Sequence, residues 1–552
     1  MTVRPEITGQ VWWDADRRGF RHETTPPALA QPDGRARVAV GEPAGGHAEA
    51  IVDAGARTLD LATDPWGIRP LYYWSDGQRV VFATRLPDLL RAGGLTPELD
   101  PAAVYHYLNF AYVPGPGTIY RDVFVLPPGT IARCREGKVA VEPAWDMRYP
   151  ADARGSEARL AAALREEIER AVAGAWAGAG PAAGCFLSGG TDSGTIAAVL
   201  AQRGAGLPAY SIAFAEDAYD ELRYARLLAA RHGLAHHVHV LSVDDLLASV
   251  PVLGAACDQP FGNPSAVATW RCARLARETG VDVLLAGDGG DELFGGNERY
   301  RKDRVYGAYH RLPRAIRAAL RALAAAAPAG GLLLNRMRNV TERGDVPNPE
   351  RLYTDDALAS RRWEALIAPA LRARVVRTAS LDVVRGHWDR VGPVDEIDRL
   401  MYVDLKTAIW GNDLVKVAAA ARAAGLRVRF PFLDTRLAEL TGRLGGRMKL
   451  RGLEKRYLFK RAVADLLPPD VLGKPKHGFG VPVAEWVRHD RRVREVVLDP
   501  ILDPASPLDD YLTRRGREEL VAEHLAGRWD HGTWLWALMM LARWRHAMER
   551  AR

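Results

Sequence analysis

Phe186-Leu187-Ser188-Gly189-Gly190-Thr191-Asp192-Ser193-Gly194 lies between a short apolar run, residues 182–187, and a segment from Thr195 to Arg203 that has the pattern of a helix. The paired glycines let backbone N–H groups crowd around an anion. Ser188 and Ser193 add hydroxyl donors, and the following helix directs its positive end at the same place. A loop of this kind holds phosphates. It is not a Walker A loop, because GxxxxGK[ST] is absent and the turn has no lysine. The dinucleotide fingerprint GxGxxG is missing too. Asp192 is the distinguishing residue, since a carboxylate in a phosphate cradle repels its ligand unless Mg²⁺ lies between them. The stretch therefore predicts a Mg-pyrophosphate site at the end of a buried strand.

Working outward, residues 157–175 read as a helix, LPAYSIAF (207–214) as a strand, Glu221 to His232 as a helix, HHVHVLS (236–242) as a strand and VDVLLAG (281–287) as another apolar run. Strands alternating with helices at this spacing predict a parallel α/β sheet. After Arg304 the chain reads as mostly helical. Before residue 150 the pattern is antiparallel β. LYYWSDGQRVVFAT is a hairpin closed at Ser75-Asp76-Gly77, TIARCREGKVAVEPAW is another closed at Glu136-Gly137, and a helix from Pro101 to Asn109 has Asp100 as its N-cap. The polar link YPADARGSEA separates the two patterns. Two domains are expected, residues 1–150 and 151–552.

At 552 residues, 48% hydrophobic and 26% charged, the chain has ample material for buried cores. Its net charge of +7 is spread among dispersed arginines, which disfavours a nucleic-acid partner. The four cysteines form no CxxC pair, so reduced, packed thiols are expected. MTVRPEITG has no apolar core of a secretory signal. The apolar stretch Trp534 to Leu541 is too short for a bilayer and leads to Arg543 and Arg545. A cytoplasmic enzyme without membrane contact is the expectation. His236, His237 and His239 alternate along one strand without zinc spacing, and Trp534, Trp536 and Trp544 read as core or interface aromatics.

SGGxDS resembles the pyrophosphate (PP) loop of the ATP-pyrophosphatase families. Ala286-Gly287-Asp288-Gly289-Gly290-Asp291-Glu292-Leu293-Phe294-Gly295-Gly296 resembles the second signature of the asparagine synthetases. Arg429 to Asp434 is similar to their RxPFLD segment, Lys474 to Phe479 to their KxGF loop, and Asp64 to Tyr73 to the last hairpins of their N-terminal domain. The chain thus resembles the asparagine synthetase family nearly throughout. The resemblance implies a doubly wound parallel-sheet ATP-pyrophosphatase domain with a helical extension, behind a smaller, truncated Ntn-hydrolase-like β domain. It implies ATP and Mg²⁺ as cofactors, with Asp192 and Asp291 as metal ligands. Ser188, Gly189, Gly190 and Ser193 would hold pyrophosphate, and Leu187, Ile212, Ala286 and Gly287 would contact adenosine. Lys476 corresponds to the family's catalytic lysine. Asp288 stands where asparagine synthetases usually have Glu and β-lactam synthetases Tyr, a place from which it could orient the incoming amine or take its proton. The implied reaction adenylates a small-molecule or peptide carboxylate, which ammonia or an amine then attacks. A homodimer is compatible with this reading.

The chain also departs from the family. Glutamine-dependent members begin Met-Cys, but residue 2 here is Thr, no cysteine precedes Cys134, and Pro5 falls at the nucleophile position. The stretch before Asp64 is short and has no match to the glutamine-gripping NGE segment. The N-terminal domain therefore reads as a degenerate glutaminase, with ammonia drawn from solution or a partner, or with another amine as nucleophile. After Lys416-Val417 come Ala418, Ala419, Ala420 and Ala421, and Arg427 replaces a Glu. This charge change is expected near the acceptor side and puts aspartate in question as substrate. An amide- or macrolactam-forming enzyme like β-lactam synthetase or lasso-peptide cyclase is the alternative. A non-catalytic ATP-binding paralogue is the third reading, opposed by the joint presence of Asp192, Asp291 and Lys476.

Overall fold

The computed structural model describes residues 6–14, 19–25, 29–31, 33, 35–41, 44–180, 182–204, 206–216, 221–326, 332–474 and 480–551. Thr2, Pro5 and Lys476 lie outside them.

Two antiparallel sheets form first. One has the order β2 (Gly19–Thr25), β1 (Thr8–Asp14), β8 (Arg79–Ala83), β7 (Tyr72–Ser75), β9 (Val123–Val125). The other runs β11 (Lys138–Pro143), β10 (Thr130–Arg135), β6 (Thr58–Thr63), β5 (His47–Asp53), β4 (Ala36–Gly41), β3 (Leu29–Ala30). Both expected hairpins form. Between β7 and β8, Asp76 Oδ1 accepts the N–H groups of Gln78 at 2.9 Å and Arg79 at 2.7 Å. Between β10 and β11, Glu136 and Gly137 take φ of 51° and 74°, the geometry that follows strand twist in a tight turn. Strand alternation sends Leu59, Leu61, Val11, Val38 and Phe82 into one shared apolar layer.

The helices α1 (Leu86–Gly93) and α2 (Pro101–Phe110) follow, and Asp100 caps α2 by accepting Ala102 N–H at 2.9 Å. α2 is buried against the second half of the chain. Tyr107 donates its hydroxyl to the carbonyl of Ala537 and Tyr105 to that of Arg377, both at 2.8 Å.

After α3 (Glu157–Trp176) comes a wholly parallel sheet: β12 (Ala183–Phe186), β13 (Pro208–Ala213), β14 (Ala235–Val240), β15 (Val283–Leu285) and β16 (Arg427–Arg429). Its order, β14-β13-β12-β15-β16, reverses direction between β12 and β15. Helices α4 (Thr191–Ala201), α5 (Leu222–His232), α6 (Val243–Ala256) and α7 (Ser265–Glu278) make the crossovers, and the short α8 (Gly290–Phe294) follows β15. The doubly wound α/β class expected from the sequence is the class observed. α4 starts four residues before the expected Thr195, because Thr-Asp-Ser-Gly are weak helix formers whose place is set by the site rather than by propensity.

The rest is helical. In the last helix, Gly532–Ala551, Leu535 to Ala542 are all buried. No helix among the described residues is long and apolar enough to cross a membrane. The four thiols are buried and free. Each strand histidine has its own partner: His236 Nε2 lies 2.7 Å from Ser211 Oγ, His237 stacks on Tyr210, and His239 Nε2 lies 2.9 Å from Asp245 Oδ2.

Candidate active site

The carboxyl ends of β12 and β15 part where the sheet order reverses, and ligands of open α/β sheets bind in such crevices. A cavity of about 560 Å³ opens there, within the range of small-ligand sites.

The first wall is the loop after β12. Leu187, buried, donates its N–H to Tyr210 O at 2.8 Å, which fixes the exit of the strand. Gly189 has φ of +76°, and a Cβ there would meet the Ala225 backbone nitrogen at 2.8 Å. Only glycine allows the chain to turn so close to α5. Ser193 Oγ accepts the Ser188 N–H at 3.1 Å and lies 3.1 Å from Ser188 Oγ. Gly190 caps α4, so the free N–H groups of the helix face the cavity with Asp192 in the first turn. Ile212, on β13, lines the cavity together with Leu187 and Ala286.

The second wall follows β15. Cβ atoms on Gly287 and Gly290 would lie 3.0 Å from Asp192 Cβ and 2.6 Å from its Cγ. These two glycines form the cradle into which Asp192 fits. Gly289 has φ of +89° and sits on Leu433, so a Cβ would meet Leu433 Cδ2 at 2.5 Å. The RxPFLD segment is thus a support: Phe430 and Phe432 are buried, and Arg429 donates to the carbonyls of Ala175 at 2.6 Å and Ala177 at 2.8 Å. Asp434 caps the following helix by accepting Leu437 N–H at 3.0 Å.

Asp192 and Asp291 come together, and Arg456 joins them. Its guanidinium donates to both oxygens of Asp192, through Nη2 to Oδ2 at 2.6 Å and through Nη1 to Oδ1, and to Asp291 Oδ1. Two carboxylates held by one guanidinium form a hard oxygen donor set that suits Mg²⁺, and the N–H-rich loop beside them suits a polyphosphate. The residues therefore fit both groups. Other cations line the same space. Lys455 pairs with Glu298 at 2.8 Å, Lys474 with Glu221 at 2.6 Å and Lys416 with Asp413 at 2.6 Å. Among the described residues Lys460 has no ion-pair partner, and burial next to other cations lowers its pKa. Sequence reasoning missed Arg456, Lys460 and Asp413. Their only signal was a cluster of basic residues between the RxPFLD and KxGF segments and a carboxylate just ahead of Lys416.

Asp288 lines the same cavity. Burial pushes its pKa up to about 6, against the pull of Lys416 and with repulsion from Asp413 and Asp192. Asp413 ends a π-helical stretch, Leu405–Asp413, whose wide turns aim Ile409 and Asp413 at the cavity.

The alanines and Arg427 do not lie where the sequence suggested. Ala419, Ala420 and Ala421 are buried in the core, and Ala418 and Ala419 line a separate, smaller cavity between the two halves of the chain. Arg427 opens β16 and pairs with Val283, the first residue of β15. It therefore sits at the amino end of the sheet, away from the carboxyl ends of β12 and β15.

A family model described as asparagine synthase matches residues 163–546, and one described as a glutamine amidotransferase domain matches residues 35–145. A Mycobacterium tuberculosis protein described as a putative glutamine-hydrolyzing asparagine synthetase is 29% identical over 515 residues, covering 91% of this chain and 76% of its own. Bacillus subtilis asparagine synthetase 1, also described as glutamine-hydrolyzing, is 27% identical over 486 residues, with 88% and 74% covered. An amidase of Gibberella zeae is 26% identical over 288 residues, with 49% and 42% covered.

Proposed function

We infer the reaction from one premise: this chain belongs to the asparagine synthase family and is an ATP-dependent, amide-forming carbon–nitrogen ligase. The family proceeds through an acyl-adenylate and uses ATP, normally with Mg²⁺. Beyond that, this chain adenylates a carboxylate at the cavity between β12 and β15 and passes it to ammonia or another amine without hydrolysing glutamine.

The observation that carries this reading is the meeting of Asp192 and Asp291 beside the Ser188–Ser193 loop. A bound Mg-ATP supplies AMP as leaving group and neutralises charge on phosphate. The protein's work is positioning and electrostatics. Asp192 and Asp291 hold the metal. Ser188, Gly189, Gly190 and Ser193 donate to the pyrophosphate, and Lys460 adds positive charge on the same side. Leu187, Ile212, Ala286 and Gly287 frame adenosine. Lys476 answers negative charge that builds up during adenylation. Asp288 then orients the amine or accepts its proton.

The test is pyrophosphate release from Mg-ATP with a panel of carboxylates that includes aspartate, with ammonia and amines as nucleophiles. Asp192→Asn and Asp291→Asn should each abolish release while the circular dichroism spectrum stays native. Near-normal turnover in either variant at saturating Mg²⁺ refutes the metal assignment. Turnover with aspartate and ammonia alone identifies an asparagine-forming enzyme, whereas turnover with other carboxylates or amines identifies the natural-product branch.

A further inference from the structure

We infer that Arg456 withholds the Asp192–Asp291 pair from free divalent cations, so that metal enters only together with a polyphosphate. This rests on the metal assignment proposed above.

The oxygens a metal would need are those already engaged. Arg456 uses its guanidinium fork on both Asp192 oxygens and reaches Asp291 Oδ1 with the same Nη2. The contact is built into the fold. Arg456 is only 5% exposed. Its backbone φ is +55°, a costly conformation for a side-chain-bearing residue, at the start of the helix Tyr457–Ala462. The Phe459 ring lies 5.4 Å from its guanidinium carbon. Gly296 leaves room, because a Cβ there would run into both the Arg456 guanidinium and Asp291 Oδ1.

A guanidinium keeps its charge at every working pH, so it competes with a metal under all conditions. Parting it from the two carboxylates leaves a buried charge unpaired, which is strongly unfavourable. A metal arriving alone meets that penalty in full. A polyphosphate on the Ser188 loop brings acceptors to which Arg456 can turn, so metal and nucleotide each raise the other's affinity. Arg456 is then a positioning residue that acts through the two carboxylates.

The experiment titrates Mn²⁺ into the full chain by electron paramagnetic resonance, with and without α,β-methylene-ATP. Wild type should bind Mn²⁺ at least about 10-fold more tightly with the nucleotide analogue. Nucleotide-free Arg456→Met, its fold checked by circular dichroism, should gain about 10-fold in Mn²⁺ affinity over nucleotide-free wild type. Equal Mn²⁺ affinity of wild type with and without the analogue overturns the inference, as does a folded Arg456→Met that gains nothing. If Arg456→Met does not fold, Arg456→Gln takes its place with the same two outcomes. Should Asp192→Asn bind Mn²⁺ with the analogue as well as wild type does, the metal assignment falls, and this inference with it.

Discussion

The Asp192 carboxylate occupies the space where residue 290 would carry a side chain: a Cβ on Gly290 would lie 2.6 Å from Asp192 Cγ. Gly290 is the first residue of α8 and its backbone is one that alanine accepts, so Gly290→Ala isolates the steric effect. The substitution should push Asp192 out of register with Asp291 and cut pyrophosphate release by about 10²-fold, as small misplacements at reacting centres do. The melting temperature should change little. Steady-state release and a thermal melt check both outcomes, and unchanged turnover would remove the two-loop packing from the mechanism.

Lys476 should act on chemistry more than on ATP binding. A group whose interaction strengthens as charge develops lowers kcat more than it raises KM when removed. Lys476→Ala should slow adenylation by about 10²-fold or more with nucleotide affinity nearly unchanged, and Lys476→Arg should restore only part. Single-turnover AMP formation and calorimetry separate the two effects.

Asp288 should give the amide-forming step an acid limb. Its pKa is pushed up to about 6 by burial, so the carboxylate is a competent base above that pH and is lost as pH falls through it. The kcat/KM for the amine should drop below pH 6 and level off above. Asp288→Asn should lower the plateau by about 10²-fold and abolish the limb, the usual share of a positioned base. A profile identical in the variant would leave the proton to another group.

His106 bears on stability. Burial holds its pKa down to about 4, and its Nδ1 lies 2.9 Å from Ser380 Oγ. Between the unfolded value near 6.5 and the folded value, the unfolded chain binds more protons, so stability falls as pH falls. At pH 5 the penalty from this residue alone is about 2 kcal/mol. His106→Gln should flatten the loss of stability between pH 7 and pH 5, read as urea midpoints at the two values. An equal loss in both proteins would show that His106 is not the titrating group.

Glutamine should not be hydrolysed. The residue expected at the nucleophile position is proline and residue 2 is threonine, although residues 35–145 match the amidotransferase model. No glutamate should form from glutamine, and Thr2→Ala should change nothing. Glutamate release that disappears in that variant would revive an N-terminal nucleophile.

The legible parts of the site were those written locally. Ser188 to Ser193 and Ala286 to Gly296 are glycine-rich because backbone and carboxylate approach each other there, so the strings report their own geometry. Arg456 was illegible because its partner Asp192 is 264 positions away, and nothing around it marks which of several basic residues reaches the carboxylates. β16 was missed because three residues are too few to show a period, and its strand character comes from pairing with β15. Arg427 was misplaced for a related reason. Nearness in sequence to Arg429–Asp434 suggested nearness to the ligand, but the strand direction puts its first residue at the opposite edge. The antiparallel half was legible because alternation and turn residues are local properties, whereas the burial of α2 against the last helix is not.

The attachment of the sandwich to the synthetase half has a consequence of its own. Trp410, in the π-helical stretch, packs against Gly67 and Gly115, and a Cβ on Gly67 would come within 2.8 Å of the Trp410 ring nitrogen. With α2 tied to Ala537 and Arg377, the described part of the antiparallel sheets and α2 act as a keystone. Cutting them away would strip a wall from the second half of the chain and leave the Trp410 indole and two tyrosine-binding carbonyls facing water, so that half depends on them for its packing whatever chemistry they carry.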